Sequence, residues 1–137
     1  MRDIVFRGKD CQACRWFEGL PAVSDTGKYH YIVASRTVNR VDPDTITEFT
    51  GLYDMNGKRI FEGDVVKEVG FVSEDNFYEV VFRDGCFCLK WFDGVFEEDV
   101  YHALYDNDRE ERFETETRLE VVGNIYDCPE LRDETRR

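Results

Sequence analysis

Two pairs of cysteines are the residues of this sequence whose type and spacing come nearest to a chemical site. Cys11 and Cys14 enclose two residues, and Cys86 and Cys88 enclose one. Four thiolates in a tetrahedral arrangement would hold a structural zinc ion, and alternation along a strand would put Cys86 and Cys88 on one face. The Cys-x-Cys spacing is, however, tighter than that of zinc knuckles. We therefore favour unligated thiols, some of them packed as small hydrophobic groups.

The spacing of Cys11 and Cys14 also matches that of disulfide-exchange enzymes. Those enzymes place the pair at the start of a helix that follows a strand, where the thiol pKa is lowered. In this chain the next residues, Arg15-Trp16-Phe17, predict a strand instead. The total of five cysteines is odd and nothing indicates secretion, so we expect reduced thiols and no redox catalysis.

The histidines and carboxylates do not form a recognisable catalytic set. His30 and His102 have no Ser, Cys or His neighbour that would indicate an activated nucleophile, so we interpret both as surface or packed side chains. Glu62 and Asp64 flank a turn glycine, and the acidic run at 97–99 lies where a predicted helix start favours anions. We therefore assign no catalytic, cofactor-binding or metal-binding residue.

The net charge limits the classes of partner. The 137 residues include 30 acidic and 18 basic side chains, which gives a formal net charge of −12. Nucleic-acid binding requires clustered Lys and Arg, and anionic membranes repel an acidic surface, so we expect neither. Carboxylates spaced like phosphates would make a DNA mimic, but here basic residues such as Arg109, Arg112 and Arg118 interrupt them. Basic or neutral proteins, or a second copy of the chain, remain as partners.

The composition and the hydrophobic pattern predict a mainly β protein. The chain contains 11 Phe, 7 Tyr and 2 Trp, and aromatic residues favour strands. Short alternating segments between turns predict antiparallel strands in a curled sheet or a small, partly open barrel. Residues 28–34 alternate with two apolar faces, which predicts a strand covered on both sides. The spacing of Phe96, Val100 and Leu104 predicts one short helix in the C-terminal half.

The hairpin around Asp84-Gly85 has the most specific pattern in the chain. A two-residue turn requires positive φ, which both residues tolerate, and a shift of one residue would mix the two faces. We expect the face that carries Glu79 and Lys90 to be the more solvated one. The predicted register pairs Arg83 with Cys86, Phe82 with Phe87, Val81 with Cys88, Val80 with Leu89, Glu79 with Lys90 and Tyr78 with Trp91.

A second turn, at Asn56-Gly57, lies in the middle of the chain. A two-residue loop there places Asp54 opposite Arg59 as a cross-strand ion pair. The chain length is that of one domain, so we expect a single domain over 1–137, with room for an N-terminal subdomain, 1–50, packed on 51–137.

Two segments and the start of the chain resemble a known protein family. Residues 41–66 contain the run FTGLYDMNGKRIFEGDVV, residues 120–131 read EVVGNIYDCPEL, and residues 4–8 read IVFRG. In this order they resemble the YopX family of phage and prophage proteins. The resemblance implies a small, mostly β product of a phage or prophage. It implies no activity, cofactor or site residue, because none is established for that family.

We therefore expect a non-enzymatic accessory protein that contacts another protein or associates with itself through an edge strand. The first residues contain no apolar stretch of the signal-peptide kind, so we expect the cytoplasm, that of the host if the chain is phage-encoded. An enzyme of unrecognised type acting on a small or nucleotide substrate is one alternative. An acidic DNA mimic that inhibits a host DNA-binding protein is the other. A polar pocket with perturbed pKa values would favour the enzyme, and a flat apolar surface would favour the interaction protein.

Overall fold

The computed structural model describes residues 3–69, 77–91, 101–103 and 119–127. Within these ranges the backbone forms ten strands and no helix, and so no helix able to cross a membrane. The chain divides into two compact units, Met1–Gly51 and Leu52–Arg137. The strands are β1 (Phe6–Asp10), β2 (Arg15–Val23), β3 (His30–Val33), β4 (Val38–Tyr53), β5 (Arg59–Phe61), β6 (Asp64–Glu68), β7 (Phe77–Arg83), β8 (Cys86–Trp91), β9 (Tyr101–Ala103) and β10 (Leu119–Asn124).

The first unit is built from β1 to β4. These strands pair antiparallel in sequence order, and β5 follows β4 in the same sheet. The 16-residue β4 is long enough to pair with β3 over 38–41 and with β1 further along. Among the described residues of this unit, the buried hydrophobic ones are Ile32, Val41 and Phe49. Complete burial of one such side chain contributes about 1.5–3 kcal/mol.

The second unit contains a five-stranded antiparallel sheet in the order β10-β6-β7-β8-β9. The first and last strands of this sheet in sequence order, β6 and β10, are therefore neighbours. Leu52 and Val121 pack against the edge of one buried apolar cluster. That cluster consists of Ile60, Val66, Tyr78, Val80, Phe87, Leu89 and Leu119.

The β7–β8 hairpin has the register that the sequence predicts, at all six pairs from Arg83–Cys86 to Tyr78–Trp91. Asp84 has a φ of 52° and Gly85 a φ of 83°, as a type I′ turn requires. The apolar face is the more buried of the two, as predicted, since Val80, Phe87 and Leu89 are each at most 3% exposed, but the difference between the faces is incomplete. Glu79 and Cys88 are buried on the face predicted to be wetter, whereas Phe82, on the apolar face, is 53% exposed.

The antiparallel, mainly β fold is confirmed, but two other predictions are not. The strands form two five-stranded sheets and not a partly open barrel. Of the stretch 96–104 that is predicted as a helix, Tyr101–Ala103 form β9 and pair with β8. Phe96, Val100 and Leu104, which carry that helical pattern, lie outside the described residues.

The turn at Asn56-Gly57 differs from the prediction by one residue. The Asp54 amide donates to the Lys58 carbonyl at 2.7 Å, so Lys58 and not Arg59 lies opposite Asp54. Gly57 alone supplies a positive φ in this turn, at 79°. The loop therefore has three residues, and the Asp54 carboxylate accepts the backbone N–H groups of Asn56 and Lys58 in this turn.

Candidate functional site

Cys11 and Cys14 lie in the turn between β1 and β2, and both side chains are exposed. Cys11 Sγ donates to Asp42 Oδ2 at 3.5 Å. Desolvation, and after it the neighbouring Asp42 carboxylate, raise the pKa of the Cys11 thiol. Disulfide-exchange enzymes need a thiol whose pKa is lowered, so this turn gives no support to redox catalysis.

Cys86 and Cys88 lie on β8, with their Sγ atoms 3.5 Å apart. Cys88 is buried and Cys86 is half-buried. Burial, and then the hydrogen bond and charge interaction with Cys86, raise the pKa of Cys88 to about 11. In the part of the chain that the structure describes, no three His, Cys, Asp or Glu residues are grouped so that they could hold a metal ion. The preference for unligated thiols over a four-thiolate zinc site stays a prediction.

The histidines and acidic pairs singled out in the sequence lie in regular structure. His30 is half-buried on β3, opposite Val41 on β4. His102, which the sequence predicts on a helix, is in β9 opposite Leu89. Asp64 is 1% exposed, and its Oδ2 accepts the Phe61 amide N–H at 2.8 Å. Asp64 is thus held by the backbone of its own turn, while the acidic run 97–99 lies outside the described residues.

The two segments that carry the family resemblance meet in the second unit. Strands β6 and β10 pair antiparallel, which places Asp64 opposite Asn124 and Val66 opposite Val121. Gly63 joins a third element to them, because its amide donates to the Val80 carbonyl at 2.7 Å. Strands β6 and β10, with Gly63, therefore bring residues that are far apart in the sequence together at the edge of the sheet. We call this contact region the joint.

Asp54 is a carboxylate at this joint that accepts several backbone hydrogen bonds. Its Oδ1 accepts the amide N–H groups of Asn56 and Lys58, each at 2.8 Å, and its Oδ2 accepts that of Val121 at 3.0 Å. The Met55 amide donates to the Leu119 carbonyl at 2.8 Å. Burial would raise the pKa of Asp54, but the hydrogen bonds from Val121, Lys58 and Asn56 outweigh it and lower the pKa. The hydrogen bonds of Asp54 with Val121 and of Met55 with Leu119 therefore connect the β4–β5 turn to β10.

Gly63 and Tyr126 make the second close contact at the joint. Gly63 has a φ of 88°, and its carbonyl accepts the Ile125 amide at 3.0 Å. A Cβ atom at Gly63 would lie 2.8 Å from Tyr126 Cε2. Asn124 Oδ1 accepts the amides of Tyr126 and Asp127 at 2.9 and 2.8 Å, which fixes the turn that carries the ring. Only glycine fits this position, for both conformational and steric reasons.

An exposed row of aliphatic side chains crosses the first unit. Leu20 lies opposite Val33, and Val33 lies opposite Val38 on the next strand. Directly opposed residues on neighbouring strands share a face, so the three side chains form one stripe across β2, β3 and β4. They are 55%, 39% and 66% exposed respectively. We call Leu20, Val33 and Val38 the aliphatic stripe.

Sequence reasoning missed the aliphatic stripe. The prediction for 28–34 was a strand covered on both faces, and Ile32 is indeed fully buried, whereas Val33 is on the exposed face. Each strand contributes only one residue to the stripe. The available signal was a set of apolar residues on neighbouring strands, and it becomes visible only when the register of three strands is known.

Comparison with known proteins identifies the family. The profile of a family described as YopX protein matches residues 5–133. The chain belongs to the YopX family. The crystal structure of protein EF1440 from Enterococcus faecalis is similar, with a TM-score of 0.52 and 19% sequence identity over 96% of this chain and 99% of that chain. At this identity the similarity concerns the fold alone, and no curated protein matches the chain.

In this YopX protein the family segments and the aliphatic stripe use different parts of the chain. The segments 41–66 and 120–131 contain Asp54, Gly63 and Tyr126, whose contacts described above all lie within the second unit. The aliphatic stripe precedes both segments and lies in the first unit. The contacts of these three residues thus lie at one joint of the second unit, and the stripe is a solvent-facing surface of the first unit.

Proposed function

We propose that this chain is a non-enzymatic accessory protein of a phage or prophage that acts in the cytoplasm by protein–protein contact. The partner is another protein or a second copy of the chain. The aliphatic stripe is the observation that supports this function. Contiguous exposed apolar patches often mark interaction surfaces, whereas isolated exposed apolar side chains are ordinary.

The size of the aliphatic stripe sets the strength of the contact. Each of its side chains is roughly half exposed, so complete burial contributes about 1 kcal/mol per residue. Association costs at least about 4 kcal/mol in lost translational and rotational freedom, and stable interfaces bury about 1,200–2,000 Å². The stripe therefore supports a transient contact, with further area supplied by neighbouring residues such as Tyr31.

The charge of the chain acts against strong self-association. Each copy carries a net charge of −12, so two copies repel each other. At moderate ionic strength, salt screens this repulsion over distances longer than about 10 Å. Self-association through the stripe is consequently expected to strengthen as salt concentration rises. A contact with a basic partner would weaken under the same conditions.

Val38→Asp tests the proposal. We expect the weight-average mass of the wild-type chain to rise with protein concentration in light scattering, and that of V38D to stay at the monomer value, because the variant places a charge in the stripe. Ile4→Asp is the matched control, since Ile4 is 62% exposed and lies outside the stripe. It should behave as the wild type does.

A photo-crosslinking amino acid at position 38, compared with one at position 4, covers the case of a different partner. A cross-linked protein obtained specifically from position 38 in producing cells supports the proposal. A wild-type chain that stays monomeric at all concentrations, together with identical cross-linking from both positions, would overturn it.

A further inference from the structure

The thiols of Cys86 and Cys88 are held closer together than a strand requires. Residues two apart on a strand have Cα atoms about 6.6 Å apart, and their side chains stand roughly perpendicular to the sheet. The two Sγ atoms are nevertheless only 3.5 Å apart, because the side chains lean towards each other. The backbone of Cys88 is fixed by pairing with Val81 on one side and Ala103 on the other.

This separation matches the spacing of two sulfur ligands on one metal ion. A tetrahedral ion with metal–sulfur bonds of about 2.3 Å holds two sulfurs about 3.8 Å apart. The thiols therefore need to separate by only about 0.3 Å, a change that small side-chain rotations provide. The half-buried Cys86 leaves one side of the pair accessible to an incoming ion.

We propose that Cys86 and Cys88 together bind one thiophilic, closed-shell metal ion of the Zn²⁺ or Cd²⁺ type, and that water completes its coordination. On binding, each thiol loses its proton to solvent, and the two thiolates form the two sulfur–metal bonds. The ion neutralises both thiolates, which allows Cys88 to ionise within the sheet.

The surroundings of the pair make this an exchangeable site and not a structural one. In the ranges that the structure describes, the pair is not joined by a third His, Cys, Asp or Glu in ligand position. Arg83, which lies opposite Cys86, forms an ion pair with Asp84, its Nε lying 3.7 Å from Asp84 Oδ2. That ion pair reduces the repulsion that the guanidinium would exert on a cation at the thiols.

The test uses a full-length chain in which Cys11, Cys14 and Cys128 are changed to Ser. In the reduced, metal-free state we expect it to bind one Cd²⁺ per chain in equilibrium dialysis, with the ultraviolet absorption of a thiolate-to-cadmium charge-transfer band. Adding Cys86→Ser should weaken binding by at least about a hundredfold, since losing a direct ligand costs more than losing an outer-shell partner, about 10–100-fold. Ser is close in size to Cys and position 86 is half-buried, so the fold should be retained, as circular dichroism can verify.

The reciprocal chain, with Cys86, Cys88 and Cys128 changed to Ser, is the matched control and retains the other pair. It should bind Cd²⁺ more weakly, because Cys11 and Cys14 are exposed thiols in a turn and are not held side by side on a paired strand. Equal affinity in the two chains, or no binding by a folded chain that keeps Cys86 and Cys88, would show that the proposal is wrong. One ion per two chains would also overturn it, because the site would then be shared between copies and not completed by water.

Discussion

Asp54→Ala is expected to destabilise the fold by about 3 kcal/mol, because the substitution removes a buried carboxylate that accepts three backbone hydrogen bonds. After the substitution, water can hydrogen-bond to the backbone N–H groups of the exposed residues Asn56 and Lys58. Water replaces the lost hydrogen bond less well at Val121, which is partly buried in the sheet. The measurement is urea unfolding followed by far-ultraviolet circular dichroism at pH 7. Asp25→Ala, at an exposed turn residue, is the control and should change stability by less than about 0.5 kcal/mol.

The contribution of Asp54 should depend on pH in a defined direction. Hydrogen bonds to the ionised carboxylate lower its pKa in the folded state below the unfolded value of about 3.9. Stability from this source is therefore fully present above pH 4 and is lost as the pH falls through the folded pKa. The difference in unfolding free energy between wild type and Asp54→Asn, which cannot ionise, should shrink in this range. A difference that stays constant from pH 7 to pH 3 would mean that the charge of Asp54 contributes nothing to the turn.

The sequence was sufficient where neighbouring residues decide the structure. The β7–β8 hairpin follows from a turn that demands positive φ at two successive residues and from flanking strands whose faces differ. Both signals lie within 14 residues of chain, and every predicted pair is present. What covers each face depends on the rest of the protein, which is why Phe82 is exposed and Cys88 is buried contrary to expectation.

The sequence was insufficient to predict contacts between residues that are far apart along the chain. The sequence predicted an ion pair between Asp54 and Arg59, five residues further along the chain. In the structure, Asp54 Oδ2 accepts the amide N–H of Val121, which is 67 residues away in the sequence. The helical spacing around Tyr101–Ala103 is a local preference, and pairing with β8 prevails over it there. The aliphatic stripe was missed for the same reason, because its three residues lie on three different strands. Resemblance to a family did better, because it identified the segments that meet at the joint between β6 and β10.

Gly63→Ala should destabilise the protein by about 4 kcal/mol, the sum of two separate costs. A non-glycine residue at a φ of 88° costs about 1–2 kcal/mol, and forcing a methyl group against a packed ring costs about 1–3 kcal/mol. Gly57→Ala isolates the first cost, because Gly57 has a φ of 79° and the added Cβ would meet nothing within 4 Å beyond its own chain neighbours. That control should lose only about 1 kcal/mol.

A double-mutant cycle identifies the contact responsible for the larger loss. Tyr126→Ala removes the ring that the new methyl group would meet, so the effects of Gly63→Ala and Tyr126→Ala should add to more than the effect of the double variant. Urea unfolding of the four chains gives the coupling energy directly, and we expect about 1–2 kcal/mol. If Gly63→Ala costs no more than Gly57→Ala, or if the cycle shows no coupling, the close approach of Tyr126 is not what requires glycine. The joint between the two family segments would then depend on the backbone pairing of β6 with β10 and on the hydrogen bond from Val121 to Asp54.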